Sequence, residues 1–352
     1  MDPIYIKIAD AINQDDLKED NPGLFHGCTG IAIFYYHLAR LTGNYGYEKI
    51  ADNLVDKAFR NLNSLAPVDF EKGLTGIGWG MEYLVQNGFA EGNTDDILEE
   101  VDNKVFKLLN EETINSFELT NGLSGYLLYL ISRLKNRTSP DSMPQQINRE
   151  LFIMAINKLY ELVTPQFQFI VRDFFFDLFW RFPVMLFALS EAFNLNIYNQ
   201  KIICMIRQWL PNFEAYIPSL HINRLYLATV LRRIHIQIPE SRLERQIRLL
   251  LYSTEFKALL SEIDIELKSV RYGLPGFMIV LDQAARLIPA GYPNYNELIE
   301  SLKVLRNDFV KSINSFNPED FKPKQVMYGL SEGITGLALM AILLSELTHE
   351  DK

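Results

Sequence analysis

Cysteine is nearly absent from this chain: Cys28 and Cys204 are the only two in 352 residues. Two thiols cannot build a disulfide framework, and so low a count suits a reducing compartment, so a cytoplasmic location is expected. Long apolar runs are also missing. The longest meet Arg, Glu, Gly or Pro before about 18 residues, too short for a membrane-spanning helix. The opening stretch, MDPIYIKIADAINQDD, has no basic segment leading into an apolar one, so no secretory signal is expected. Positive charge is in deficit. Lys and Arg number 34 against 44 Asp and Glu, leaving a net charge of −10. That balance speaks against nucleic acid and against anionic membrane as bulk partners. One stretch departs from it, with Arg224, Arg232, Arg233, Arg242, Arg245 and Arg248 interleaved with Leu and Ile. It reads as the solvated face of helices, or else as a dock for an acidic peptide or partner.

What the chain does have is an apolar fraction of 48% and five short glycine motifs of nearly one design. They are GCTG (Gly27, Gly30), GLTG (Gly73, Gly76), GLSG (Gly122, Gly125), GLPG (Gly273, Gly276) and GITG (Gly333, Gly336). Each opens a nearly wholly apolar stretch, such as IAIFYYHLARL after the first and LALMAILLSEL after the last. The first glycines at 27, 73 and 122 lie 46 and 49 residues apart. The 151 residues from Gly122 to Gly273 leave room for two eroded copies. Trp180–Leu189, with Pro183 in the turn, and Leu220–Val230 are the candidates. The sum is about seven units.

Thr29, Thr75, Ser124, Pro275 and Thr335 precede the second glycines. Ser and Thr are favoured helix N-caps and Pro is favoured in a first turn, so a helix is expected to start at each motif. The glycines permit positive φ and close backbone approach. A helix apolar around most of its circumference is buried on several sides. Between these segments lie Tyr47–Leu65, Thr94–Asn110, Gln146–Leu162, Arg242–Leu260 and Asn294–Ser315, where apolar residues recur every three or four. These read as one-sided amphipathic helices. Buried helix and amphipathic helix in alternation predict an all-α fold: a single α/α toroid over residues 1–352, with little or no sheet. Lys135–Gln145 and Asn317–Lys324 read as surface linkers.

The segments GLFHGCTGIA (23–32) and YGLSEGITGLAL (328–339) resemble the opening and closing repeats of the lanthionine synthetase C-like family. GLTGIGWG, NGLSGYLLYL and YGLPGFMIVL fit the same template, and the likeness spans nearly the whole chain. It implies a toroid that, in the family's cyclases, holds zinc through two Cys and one His placed just before the first glycines of late repeats. The metal there would activate the thiol of a peptide cysteine for addition to a dehydrated Ser or Thr. This chain departs from that pattern. Arg271 and Tyr272 precede Gly273, Ser331 and Glu332 precede Gly333, and Phe25 and His26 precede Gly27. An arginine stays protonated and cannot ligate zinc. No metal and no cofactor are therefore expected, and the family's zinc chemistry is expected to be absent.

Candidate cavity or peptide-binding residues are His26, Glu71, Asn121, Arg271, Tyr272 and Glu332. Arg271 and Tyr272 could hold a carboxylate, a phosphate or an anionic peptide, or Arg271 could pair with Glu332 across neighbouring repeats. His26 with Cys28 is a weak metal pair, because a third ligand is not evident. His221, His235 and Cys204 read as structural or surface residues. Asp69, Glu71, Glu118, Asp173, Asp177 and Glu332 are carboxylates near turn ends. A facing pair among them would suit a carbohydrate-active toroid enzyme, hydrolase or epimerase. The aromatic run Phe174, Phe175, Phe176, Phe179, Trp180 and Phe182 suits core packing, or a wall gripping a peptide or sugar. The favoured reading is a protein acting on or beside a ribosomally made peptide, with that peptide or its maturation enzymes as partners. The others are the carbohydrate-active enzyme and a non-catalytic scaffold.

Overall fold

The computed structural model describes residues 3–14, 21–60, 66–111, 114–135, 142–167, 172, 175–264, 267–314 and 328–350. Among them every regular element is helical. In chain order these are α1 (Ile4–Gln14), α2 (Cys28–Thr42), α3 (Tyr45–Arg60), α4 (Leu74–Gln86), α5 (Thr94–Ile97) and α6 (Glu99–Glu111). There follow α7 (Leu123–Lys135), α8 (Met143–Val163), a 3-10 turn (Thr164–Gln166), α9 (Arg181–Phe193) and α10 (Asn199–Phe213). The last are α11 (His221–Gln237), α12 (Ser241–Ser253), α13 (Phe256–Ser261), α14 (Leu274–Leu287), α15 (Tyr295–Asn314) and α16 (Ile334–Glu350). None of these helices is long and apolar enough to cross a membrane.

An apolar helix starts one residue after each of the five first glycines. The two eroded units start helices as well, α9 at Arg181 and α11 at His221. Two helices were not read from the sequence. One is the N-terminal α1. The other is α10, whose buried Ile202, Met205, Ile206, Trp209, Leu210 and Phe213 recur at helical spacing. Of the expected linkers, 317–324 and 136–141 lie outside the described residues.

By contacts the chain divides into two compact units. The first comprises Met1–Val101, Ile265–Pro275 and Asn307–Lys352. Within it α2 packs against α3, α4 and α16, and α1 lies against α16. Residues Cys28 to Leu38 of α2 are all buried, whereas α3 buries only Ala51, Leu54 and Ala58. The two sequence textures thus become two burial classes, as a helix apolar all round requires neighbours on several sides. The Tyr35 hydroxyl ties α1 down by donating to the Ala9 carbonyl at 2.9 Å.

The second unit comprises Asp102–Asp264 and Gly276–Arg306. There α9 packs against α7, α10 and α11, α7 against α8, and α11 against α12 and α13. Phe167, Phe182, Trp209 and Phe213 form its aromatic centre, with Phe167 edge-on to Phe182 at 5.5 Å. The Arg-rich stretch is not a merely solvated face. Arg233 meets Glu191 at 3.0 Å, Arg242 and Arg245 meet Glu214, and Arg248 meets Glu244. Arg232 donates to the Leu287 carbonyl and the Tyr292 hydroxyl, and Arg224 to the carbonyls of Pro218, Ser219 and Ser253.

Candidate functional site

The glycine turns share one construction, which differs from the expected cap. Gly27 and Gly73 are the N-caps of α2 and α4, with φ of −133° and −101°. Thr29 and Thr75 sit inside the first turn, and their hydroxyls donate outward, to the carbonyls of Pro22 and Val68 at 2.6 Å. Ser124 does the same to Phe117 at 2.5 Å, and Thr335 to Tyr328. Each hydroxyl therefore grips the carbonyl seven residues upstream and closes the loop onto the helix, instead of accepting from a helix N–H. The backbone follows suit. Cys28 N–H reaches the Asn21 carbonyl and Leu74 N–H the Pro67 carbonyl, both at 2.9 Å. The glycines serve close approach, not positive φ. A Cβ on Gly73 would lie 2.2 Å from the Pro67 carbonyl oxygen, and one on Gly336 2.0 Å from that of Leu330. Left-handed glycines occur instead at Gly43 and Gly88.

Four turns of the first unit are stitched together. Phe25 N–H donates to the Glu71 carbonyl at 3.1 Å, Ser331 N–H to the Phe25 carbonyl at 3.4 Å, and Arg271 N–H to the Ser331 carbonyl at 2.8 Å. Gly329 is required here, because a Cβ on it would lie 2.1 Å from the Phe25 carbonyl oxygen. The side chains continue the pattern. His26 Nε2 lies 3.1 Å from Glu71 Oε1 and 3.5 Å from Ser331 Oγ. Arg271 lies 3.5 Å from Glu332, with its guanidinium 4.7 Å from the Tyr272 ring centroid. His26, Glu71, Arg271 and Glu332 are each partly exposed.

Five of the six expected site residues thus lie on adjoining turns. Asn121 belongs to the other unit and is exposed, with its side-chain oxygen 3.3 Å from Ser116 Oγ. Sequence reasoning noted Ser331 only as the residue two before Gly333, without a site role, and passed over Ser269. Ser331 is buried, and its carbonyl accepts from both Arg271 N–H and Ser269 Oγ. Its position two residues before Gly333, matching Arg271 before Gly273, was the available signal.

Ser331, His26 and Glu71 do not form a hydrolytic triad. Serine and carboxylate both approach Nε2, while Nδ1 is buried without a hydrogen-bond partner. A nitrogen that donates its proton to Glu71 has no lone pair left to take one from Ser331. The other carboxylates serve their own turns. Asp69 accepts from the N–H groups of Glu71 and Lys72, and Asp177 from that of Phe179. Glu118 is exposed, and Asp173 lies outside the described residues.

Cys28 is buried at the start of α2, and Cys204 is exposed. His221 Nδ1 accepts from Glu255 N–H at 3.0 Å, 34 residues away, and His235 Nδ1 from Glu240 N–H at 3.3 Å, both structural ties. In the aromatic run, Phe176, Trp180 and Phe182 are buried, and Phe176 packs on Phe277 at 4.3 Å. Phe175 is exposed, and Phe174 lies outside the described residues.

Zinc sites are built from thiolate, imidazole and carboxylate donors. The Gly273 turn offers a guanidinium already drawn to Glu332, and a phenol beneath it. These residues do not fit zinc. No group of three or more His, Cys, Asp or Glu among the described residues is arranged to hold a metal ion.

Residues 18–165, which carry the first three glycine turns, match the family model described as lanthionine synthetase C-like protein. Among curated proteins nothing matches. Among solved structures, this chain is similar to one titled nisin cyclase, at 13% identity and a TM-score of 0.68. The likeness covers 97% of this chain and 93% of that one, and so extends the fold, an all-α α/α toroid, beyond the family match.

Proposed function

We propose that this lanthionine synthetase C-like protein binds a segment of a ribosomally made peptide at the turns around Arg271. It would do so as a partner of peptide-maturation enzymes, or with chemistry that uses no metal. One observation carries the reading: the glycine turns that carry the resemblance each open a helix, while Arg271, paired with Glu332 and stacked on Tyr272, stands where the family resemblance implies a zinc ligand. A cation and a phenol there favour a carboxylate-bearing or hydrogen-bonding peptide group over a metal-bound thiolate.

Two measurements on the purified full chain test this. Elemental analysis is expected to find far less than one zinc per chain. Zinc at one per chain, lost on His26→Ala or Cys28→Ala, would overturn the metal-free part. Crosslinking to a photoreactive peptide library is expected to label the turns at 23–28, 69–73, 269–273 and 329–333. Labelling confined to other surfaces would overturn the binding part.

A further inference from the structure

Arg40 is placed unlike most arginines of this chain. Arg133, Arg233, Arg242 and Arg286 each meet a carboxylate within 3.0 Å. Arg40, in the last turn of α2, meets none among the described residues. It is nevertheless held in place. Its guanidinium carbon lies 3.6 Å from the Phe89 ring centroid, and one terminal nitrogen donates to the Asn87 carbonyl at 2.7 Å. Stacking fixes the plane of the cation and the carbonyl fixes one edge, while a guanidinium carries five N–H donors.

Those donors border a pocket of about 270 Å³ lined by Tyr36, Arg40, Gly43, Tyr45, Glu48 and Phe89. It lies at the C-terminal end of α2, away from the glycine turn at the N-terminal end. Gly43 and Gly88 turn the chain there with φ of 66° and 65°, and a Cβ on either would touch nothing within 4 Å. Bare backbone thus opens the rim. Tyr45 stands 78% exposed, an unusual position for so large a ring.

A last-turn arginine also offsets the negative end of its helix, and Arg40 covers the Asn87 carbonyl just past α4. Those tasks use one edge of the guanidinium and do not explain an exposed tyrosine beside a preorganised cation. We propose that this pocket binds an acidic peptide segment, with one carboxylate on Arg40 and a neighbouring apolar or aromatic side chain against Tyr45. The volume accommodates one or two side chains and falls short of the usual range for a drug-sized ligand. Glu48 on the rim repels a second carboxylate and so selects a single acid flanked by apolar residues. The proposal is independent of the reading of the turns around Arg271.

Fluorescence anisotropy on the full chain tests it, with a dye-labelled octapeptide carrying one Glu between Phe and Leu in a Gly-Ser background and a second peptide with Gln for that Glu. The acidic peptide is expected to bind about tenfold tighter or more, from the charge-assisted bonds to Arg40. Arg40→Gln should lower that preference severalfold in the native chain and in an Arg271→Ala background alike, which separates it from binding at the turns. Glu48→Gln should strengthen binding of the acidic peptide several-fold, a gain that a folding defect cannot produce. Equal binding of the two peptides overturns the proposal, as does an acid preference that Arg40→Gln leaves undiminished in the Arg271→Ala background. It is also overturned if Arg207→Gln, on α10, lowers the preference as much, since net charge alone would then be responsible.

Discussion

Arg271 and Glu332, 61 residues apart in sequence, face each other at 3.5 Å from the turns that open α14 and α16. Both are partly exposed, and a pair of that kind contributes about 0–1 kcal/mol to stability. The backbone already joins the two turns through Arg271 N–H and the Ser331 carbonyl at 2.8 Å. Arg271→Ala is therefore expected to lower unfolding stability in urea by less than about 1 kcal/mol. If the turns bind an anionic peptide group, the same variant should weaken peptide binding about tenfold or more. A large loss of stability with binding unchanged would make Arg271 a structural residue and leave the peptide reading without its anchor.

The hydroxyl at the second position of α2, α4, α7 and α16 invites a separate test. Thr75 is fully buried, and its hydroxyl closes the loop onto the Val68 carbonyl at 2.6 Å. Thr75→Val keeps the shape and leaves that acceptor short of a donor, which should cost about 1–2 kcal/mol. Thr75→Ser should recover most of it. Were the hydroxyl an ordinary N-cap, the loss would appear instead as fraying of α4 with the preceding loop unaffected, which amide hydrogen exchange on residues 67–76 distinguishes.

Much of this architecture was legible because it repeats. A glycine whose Cβ would strike the carbonyl six residues back leaves the same spacing in the sequence wherever the turn recurs, as at Gly27, Gly73 and Gly273. The role of Thr29 and Thr75 was misread because cap preferences describe a hydroxyl outside the helix accepting from it. Here the helix starts two residues earlier and the hydroxyl donates. The unit at Leu220–Val230 was legible only as an eroded copy, for another reason. Glu262 caps the N–H groups of His221 and Ile222 from 41 and 40 residues away, replacing a local glycine turn with a distant carboxylate. The pairing of Arg271 with Glu332 could be weighed from adjoining repeats, whereas that of His26 with Glu71 needed the turns brought together in space.

The second unit contains a buried ion pair that should dominate its mutational response. Arg133 is fully buried and meets Asp102 through Nε and a terminal nitrogen, the latter at 2.8 Å. Tyr129 and Asn148 also donate to that carboxylate, at 2.6 and 3.1 Å. Asp102→Ala strands a buried guanidinium and should cost about 3–5 kcal/mol in chemical unfolding. Adding Arg133→Met to Asp102→Ala should restore a substantial part, since the uncompensated charge is then gone. A double variant no more stable than the single would show that the hydrogen bonds of Tyr129 and Asn148, not the charge, carry the effect.

His37 gives the chain an acid-sensitive element that can be separated from its carboxylates. It is buried between α2 and α4, with Nε2 2.8 Å from the Tyr83 hydroxyl and Nδ1 lacking any hydrogen-bond partner. Burial, and then the nearby Arg40 cation, lower its pKa from 6.5 to about 4. Protonation would place a second N–H at Nδ1, where no acceptor waits. A histidine with a depressed folded pKa contributes stability that is fully present above about pH 6.5. That contribution declines as the pH falls and is exhausted below about pH 4, because the unfolded chain takes up the proton first. The full span amounts to about 3 kcal/mol. Urea unfolding of the native chain and of His37→Asn between pH 7 and 4 measures it, since carboxylate titrations common to both chains cancel in the difference. The native chain should lose stability faster than the variant between pH 6.5 and 4, and parallel curves across that window would show that His37 does not titrate as its burial demands.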